Sequence, residues 1–169
     1  IIDIHVVAKR TVELILHAEN FRKAHNIAPI SYEVGTEEVH GGLADPTTFD
    51  TFLHDLKAGL KEVGLEDVWP CFIVGKVGTD LHTTTFDPEV ARSLTAKVRP
   101  YGSYIKGHYT DDVSNPEEYP VSGMGAANVG PEFTMNEYDA LAELEEEEKK
   151  QFEEGKVAQL SHITDVLWQ

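Results

Sequence analysis

The stretch CFIVGKVGTDLHTTTFDPEVARSLTAKV, residues 71–98, decides how the rest of the chain reads. It opens on a continuous apolar run, Cys71-Phe72-Ile73-Val74, as a strand buried on both faces requires. A polar, glycine-containing loop follows. Asp87-Pro88 then supplies an N-cap residue ahead of a proline at the first helical position. Val90, Ala91, Leu94 and Val98 recur after it at helical spacing. Strand, loop and helix in that order make one βα unit, and such units in series build a parallel sheet with crossover helices.

The same unit recurs on both sides. Upstream, apolar residues from His5 to Asn26 (Val6, Val7, Val12, Ile15, Leu16, Ala18) fall at helical spacing. Ile30-Ser31-Tyr32-Glu33-Val34 reads as a short strand, and a glycine-rich loop runs over 35–42. Asp45-Pro46 starts a helix through Phe49, Phe52, Leu53, Leu56 and Leu60 that stops near Gly64. Downstream, Ser103-Tyr104-Ile105-Lys106 is a third strand, followed by a polar loop carrying His108, Asp111, Asp112 and Asn115. Pro116 opens a short helix through Glu117 and Glu118. Met124-Gly125-Ala126-Ala127-Asn128-Val129 is a fourth, weaker strand. Gly130-Pro131 leads into a helix through Tyr138, Leu141 and Leu144, which the charged run 145–150 extends as a solvated face. The expected class is α/β, a single domain over 1–169 of about four βα units. Residues 151–169 form one more helix or a C-terminal arm. Four units are half of an eight-stranded TIM barrel, which takes ~250 residues. The expectation is therefore an incomplete barrel of TIM type or a small open α/β sheet.

Composition narrows the function. The 169 residues carry 14 Lys plus Arg against 30 Asp plus Glu, a formal net charge of −16. That argues against nucleic acid and against an anionic membrane surface. No apolar run approaches the ~18 residues of a membrane span. One cysteine, Cys71, excludes an internal disulfide framework and suits a reducing, cytoplasmic setting. The opening Ile1-Ile2-Asp3-Ile4-His5 shows no signal-peptide pattern and no initiator methionine, so the chain is expected to be a fragment, a processed product or the ordered part of something longer.

The distinctive polar residues stand after the strands. Glu33, Thr36, Glu37, Glu38 and His40 follow the first, Lys76, Asp80 and His82 the second, His108, Asp111 and Asp112 the third, and Asn128 and Gly130 the fourth. In a parallel α/β fold these strand ends share one face, where ligands bind. Imidazoles and carboxylates gathered there suit a divalent metal, zinc or, with more oxygen, manganese or magnesium. Glu33 is the strongest candidate, because a carboxylate inside an apolar strand must be paired or bound. His17, His25 and His54 fall on helices and read as surface residues. His40 reads as a loop hydrogen-bonder, Asp45 and Asp87 as caps, and Cys71 as an inert core thiol. No Walker loop, nucleophile elbow, Cys-x-x-Cys or dinucleotide fingerprint is present.

Four segments, in order and at roughly the same spacing over about residues 27–148, resemble one known family. Ser31-Tyr32-Glu33-Val34-Gly35-Thr36-Glu37 is similar to its SYxxGTE segment, and Val77-Gly78-Thr79-Asp80-Leu81-His82 continues the likeness. Gly107-His108-Tyr109-Thr110-Asp111 resembles its HSTDY, and Asn128-Val129-Gly130-Pro131-Glu132-Phe133-Thr134 its KVGPALTF. The family is that of the tagatose-bisphosphate aldolase accessory subunits, also described as tagatose-6-phosphate kinases, and is related to the metal-dependent class II aldolase barrels. The resemblance implies the C-terminal half of such a barrel. It places His82 and His108 as metal ligands, sets Glu33, a third candidate ligand, on the glutamate-containing strand before them, and puts the turn at Asn128 and Gly130 at substrate phosphate or hydroxyls. Asp80-Leu81-His82 departs from the family's direct Asp-His.

Two functions follow as expectations. In one, the chain binds a sugar phosphate and a divalent metal, with retro-aldol or epimerase chemistry if catalytic. Glu37 or Asp111 would move the proton, and Lys76 and the backbone near Gly130 would meet the phosphate. In the other, it is a non-catalytic, chaperone-like scaffold that stabilises an aldolase partner. Half a barrel leaves apolar surface uncovered, so self-association or a partner subunit is expected.

Overall fold

Helices alternate with short strands along the chain of this computed structural model, which describes residues 3–35, 46–79 and 83–167. Helix α1 spans Ile4–Ala24, and Asp3 caps it by accepting from the His5 amide. It is followed by β1 (Glu33–Gly35), α2 (Pro46–Glu62), β2 (Phe72–Val74) and α3 (Pro88–Val98). The Asp87 carboxylate caps α3, accepting from the Glu89 and Val90 amides at 3.0 and 3.1 Å. Then come β3 (Tyr104–Gly107), α4 (Glu118–Val121), β4 (Ala126–Ala127), α5 (Pro131–Glu153) and α6 (Ile163–Leu167). The proposed Asp45 cap lies outside the described residues.

The four strands form one parallel sheet in sequential order, β1-β2-β3-β4. The fold is therefore α/β with helices interleaved between parallel strands. Strand alternation then divides the sheet's two faces. Val34, Ile73 and Ile105 are in register and share one face. Ile73 and Ile105 are fully buried, and all three pack in one core with Val12 and Ile15 of α1, Phe52 and Leu56 of α2, and Leu94 and Val98 of α3. By the same alternation Glu33, Phe72, Val74, Tyr104, Lys106 and Ala126 belong to the opposite face. There Tyr104 is 55% exposed.

Three local readings change. The first strand begins at Glu33 rather than Ile30, because pairing starts where the Tyr32 carbonyl accepts the Cys71 amide at 3.0 Å, and Ile30 is left half-exposed. Cys71 lies just before β2 and is only partly buried, its thiol directed at the same Tyr32 carbonyl. Within the 145–150 run, Glu145 is buried rather than solvated.

The described chain divides into two compact units, 1–128 and 129–169. In the second, Glu145 of α5 accepts from the Thr164 amide and hydroxyl at 2.9 and 2.5 Å, holding the start of α6. These bonds keep the Glu145 carboxyl below its usual pKa, against the effect of burial. Glu148 does the same for Ser161, at 2.9 and 2.7 Å.

Candidate functional site

Glu33 opens β1 and Lys106 sits near the end of β3, two strands away on the same face. The Glu33 side chain crosses β2 diagonally. Its Oε2 accepts from the Lys106 Nζ at 2.5 Å, and its Oε1 lies 3.2 Å from the Nε2 of His108, the first residue after β3. A carboxylate, an ammonium and an imidazole thus meet at the C-terminal side of the sheet. The Lys106 side chain is 15% exposed and that of His108 27%, so both are partly desolvated yet reachable. Burial pushes the Glu33 carboxyl up, but the hydrogen bonds from Lys106 and His108 outweigh it and hold the group below the usual glutamate value. Glu33 is an anion at neutral pH.

The loops that follow the strands are stitched together around this cluster. The buried Thr79 hydroxyl donates to the His108 carbonyl at 2.8 Å, joining the loops after β2 and β3. The Asn128 amide donates to the Gly107 carbonyl at 3.0 Å, and the Thr110 amide to the Asn128 carbonyl at 3.1 Å. The Asn115 amide group reaches the Phe86 carbonyl at 3.1 Å. Tyr109, beside His108, has φ of 55°, a conformation that costs a bulky residue roughly 1–2 kcal/mol. Gly78 stands at φ 103°, where a Cβ would sit 2.6 Å from the Thr85 carbonyl oxygen. Only glycine fits there, and the Asp87 amide closes this loop on the Val77 carbonyl at 2.8 Å.

Of the residues singled out in the sequence, Glu33 and His108 are brought into contact. Lys76 and Asp111 lie half-buried in the loops after β2 and β3, and neither is without a partner. Asn128 is exposed, and its backbone ties the β4 end to the His108 loop. Gly130 falls in the second unit, ahead of α5, where its carbonyl accepts the Thr134 amide at 3.2 Å. Glu37 and His82 lie outside the described residues.

Lys106 is the member that sequence reading passed over. The signal was available: it follows Ile105 in an expected strand, so period-two alternation points it away from the core, toward the face that Glu33 shares. A second ionic cluster was also missed. Glu19 of α1 is 1% exposed, accepts from Arg22 Nε at 2.6 Å and from the Tyr32 hydroxyl at 2.9 Å, and faces Arg22 Nη2 at 2.6 Å. It joins α1 to the approach to β1 and is structural. The helix histidines include one such tie as well, His5 Nδ1 of α1 lying 2.5 Å from Asp55 Oδ2 of α2.

Among the described residues, no group of three or more His, Cys, Asp or Glu side chains is arranged to hold a metal. No helix among them is long and apolar enough to cross a membrane. The chain matches no known family model. It also matches no curated protein.

Proposed function

We propose that the chain binds a sugar phosphate as a carbohydrate-metabolism protein of the tagatose-bisphosphate aldolase accessory type, with its sheet forming part of a TIM-type barrel. The observation that carries this reading is the meeting of Glu33, Lys106 and His108 on one sheet face toward the C-terminal strand ends. An ammonium and an imidazole suit the anionic oxygens of a phosphorylated sugar, and a carboxylate suits its hydroxyls. Two features support the barrel. The strand order is sequential and does not reverse as it does in doubly wound sheets, and the core helices gather on one face. The opposite face would then line a barrel interior. Lys76 would meet the phosphate, and Asp111, with Glu37, would move a proton if the protein is catalytic.

The resemblance also implies a divalent metal, for which Glu33, His108 and His82 would be the donors. Such an ion would polarise a ketose carbonyl and favour an aldolase or epimerase step. The donor set fits it only in part, because the Glu33 carboxylate already bonds the Lys106 ammonium.

The test is calorimetric titration of the full chain with a ketohexose phosphate in the presence of EDTA. Binding is expected without added metal, weakened at least tenfold in His108→Ala. A wild-type chain that ignores the sugar phosphate ends this reading. The alternative is then the non-catalytic scaffold that stabilises an aldolase subunit, which the exposed Tyr104 on the second sheet face favours. Co-elution with such a subunit would support it.

A further inference from the structure

We propose that Lys106 is the resident cation of the Glu33–His108 pair: it holds at that carboxylate the charge a divalent metal would otherwise carry, and so keeps metal off the pair. The inference deepens the proposed ligand site and rests on that reading only for the identity of the ligand. A metal centre built on Glu33 and His108 needs the carboxylate oxygens and the imidazole nitrogen turned to one point, at ~2.0–2.2 Å for zinc. Here one carboxylate oxygen is bonded to Lys106 at 2.5 Å, and the other points at His108 Nε2 at 3.2 Å, the ring nitrogen that would have to ligate. An ammonium offers three protons and no lone pair, so it satisfies the carboxylate and adds nothing to a coordination sphere. A metal entering would have to displace Lys106 from its bond while meeting a positive charge a few ångströms away.

The placement is not that of a mobile surface lysine. Lys106 lies within a strand, paired in register with Val74 on one side and Ala126 on the other. Its carbonyl accepts the Gly75 amide at 3.2 Å, and its side chain is largely buried. The backbone on both flanks fixes the direction of the stem, so the ammonium is built into the site. One of its three N–H groups is used on Glu33. The others suit an oxyanion of the ligand, which gives the site an electrophile that needs no metal.

The experiment is a cobalt(II) titration of the EDTA-stripped full chain, read by visible absorption and calorimetry. Wild type, Lys106→Gln, Lys106→Arg, His108→Ala and the Lys106→Gln/His108→Ala double variant are compared. Wild type and His108→Ala are expected to bind cobalt equally weakly. Lys106→Gln is expected to bind at least tenfold more tightly, with the gain lost in the double variant and absent in Lys106→Arg, which keeps the charge. A wild type that binds one equivalent tightly and loses it in His108→Ala overturns the proposal, as does a folded Lys106→Gln with no gain. If circular dichroism shows that Lys106→Gln does not fold, the comparison of wild type with His108→Ala decides alone. Failure of sugar-phosphate binding in EDTA would remove the proposed ligand and leave the cobalt result standing, so the two readings fail separately.

Discussion

Glu19 shows what a single buried charge does here. It is shut away on α1 with Arg22 and Tyr32 as its partners, and removing it leaves a guanidinium and a phenol facing the gap. Glu19→Ala is expected to cost about 2 kcal/mol, within the range for an orphaned charged hydrogen-bond partner, as read by urea denaturation. The Arg22 hydrogen bond holds the Glu19 carboxyl below its ordinary value of 4.5, with the Tyr32 hydroxyl assisting against burial. A folded value below the unfolded one means stability that is present above about pH 4.5 and lost as pH falls through the folded pKa. The stability gap between wild type and Glu19→Gln should therefore be constant near neutrality and narrow below pH 4.5. A gap that widens on acidification would contradict the assignment. Nothing in the sequence marked Glu19, because a glutamate amid the charges of an amphipathic helix has the pattern of a solvated one. Its burial comes from where Tyr32 lands, thirteen residues on.

The elements carry a cleaner signal. Each βα unit was legible because apolar runs, cap residues and prolines act over a few residues, and the helices and strands appear at those places. The division of the sheet into two faces was not legible in the sequence, where the run 71–74 reads as buried on both sides; it follows from the strand register, since alternation is set by backbone geometry. It can be tested within β3. Ile105→Ala, on the helix side, is expected to cost about 2–5 kcal/mol, and Tyr104→Ala, on the other, about 0.5 kcal/mol or less. Equal costs would mean that the second face is covered too. In the second unit, Glu145→Ala should speed amide exchange over 161–167, because the carboxylate is what bonds Thr164 at the start of α6. Unchanged exchange would show that α6 is held by its apolar contacts instead. The error over Glu145 has a physical origin: a run of glutamates fixes composition, and only the return of the chain at Thr164 selects which one is enclosed.

At the scale of the molecule, a net charge of −16 sets long-range behaviour whatever the fold. The chain is expected to give no shift with duplex DNA in an electrophoretic assay at physiological salt, and a stable complex there would overturn the exclusion. Within that field the Lys106 ammonium is balanced locally by the Glu33 carboxylate 2.5 Å away.

Local chemistry along the chain was enough to establish the α/β class, the order of the elements, the positions of the helix starts and the side of the sheet on which polar residues collect. These depend on short-range preferences: the fixed φ of proline, the capping carboxylate, and apolar spacing of two or 3.6 residues. Which polar residues touch depended on the register of strands some thirty to seventy residues apart. Folding alone placed Glu33 across β2 within reach of Lys106 and His108, and only that crossing turns a lysine in a strand into the partner of the carboxylate. A sequence lists donors and acceptors, but pairing them takes a three-dimensional distance, and that distance is set by how the parallel strands align.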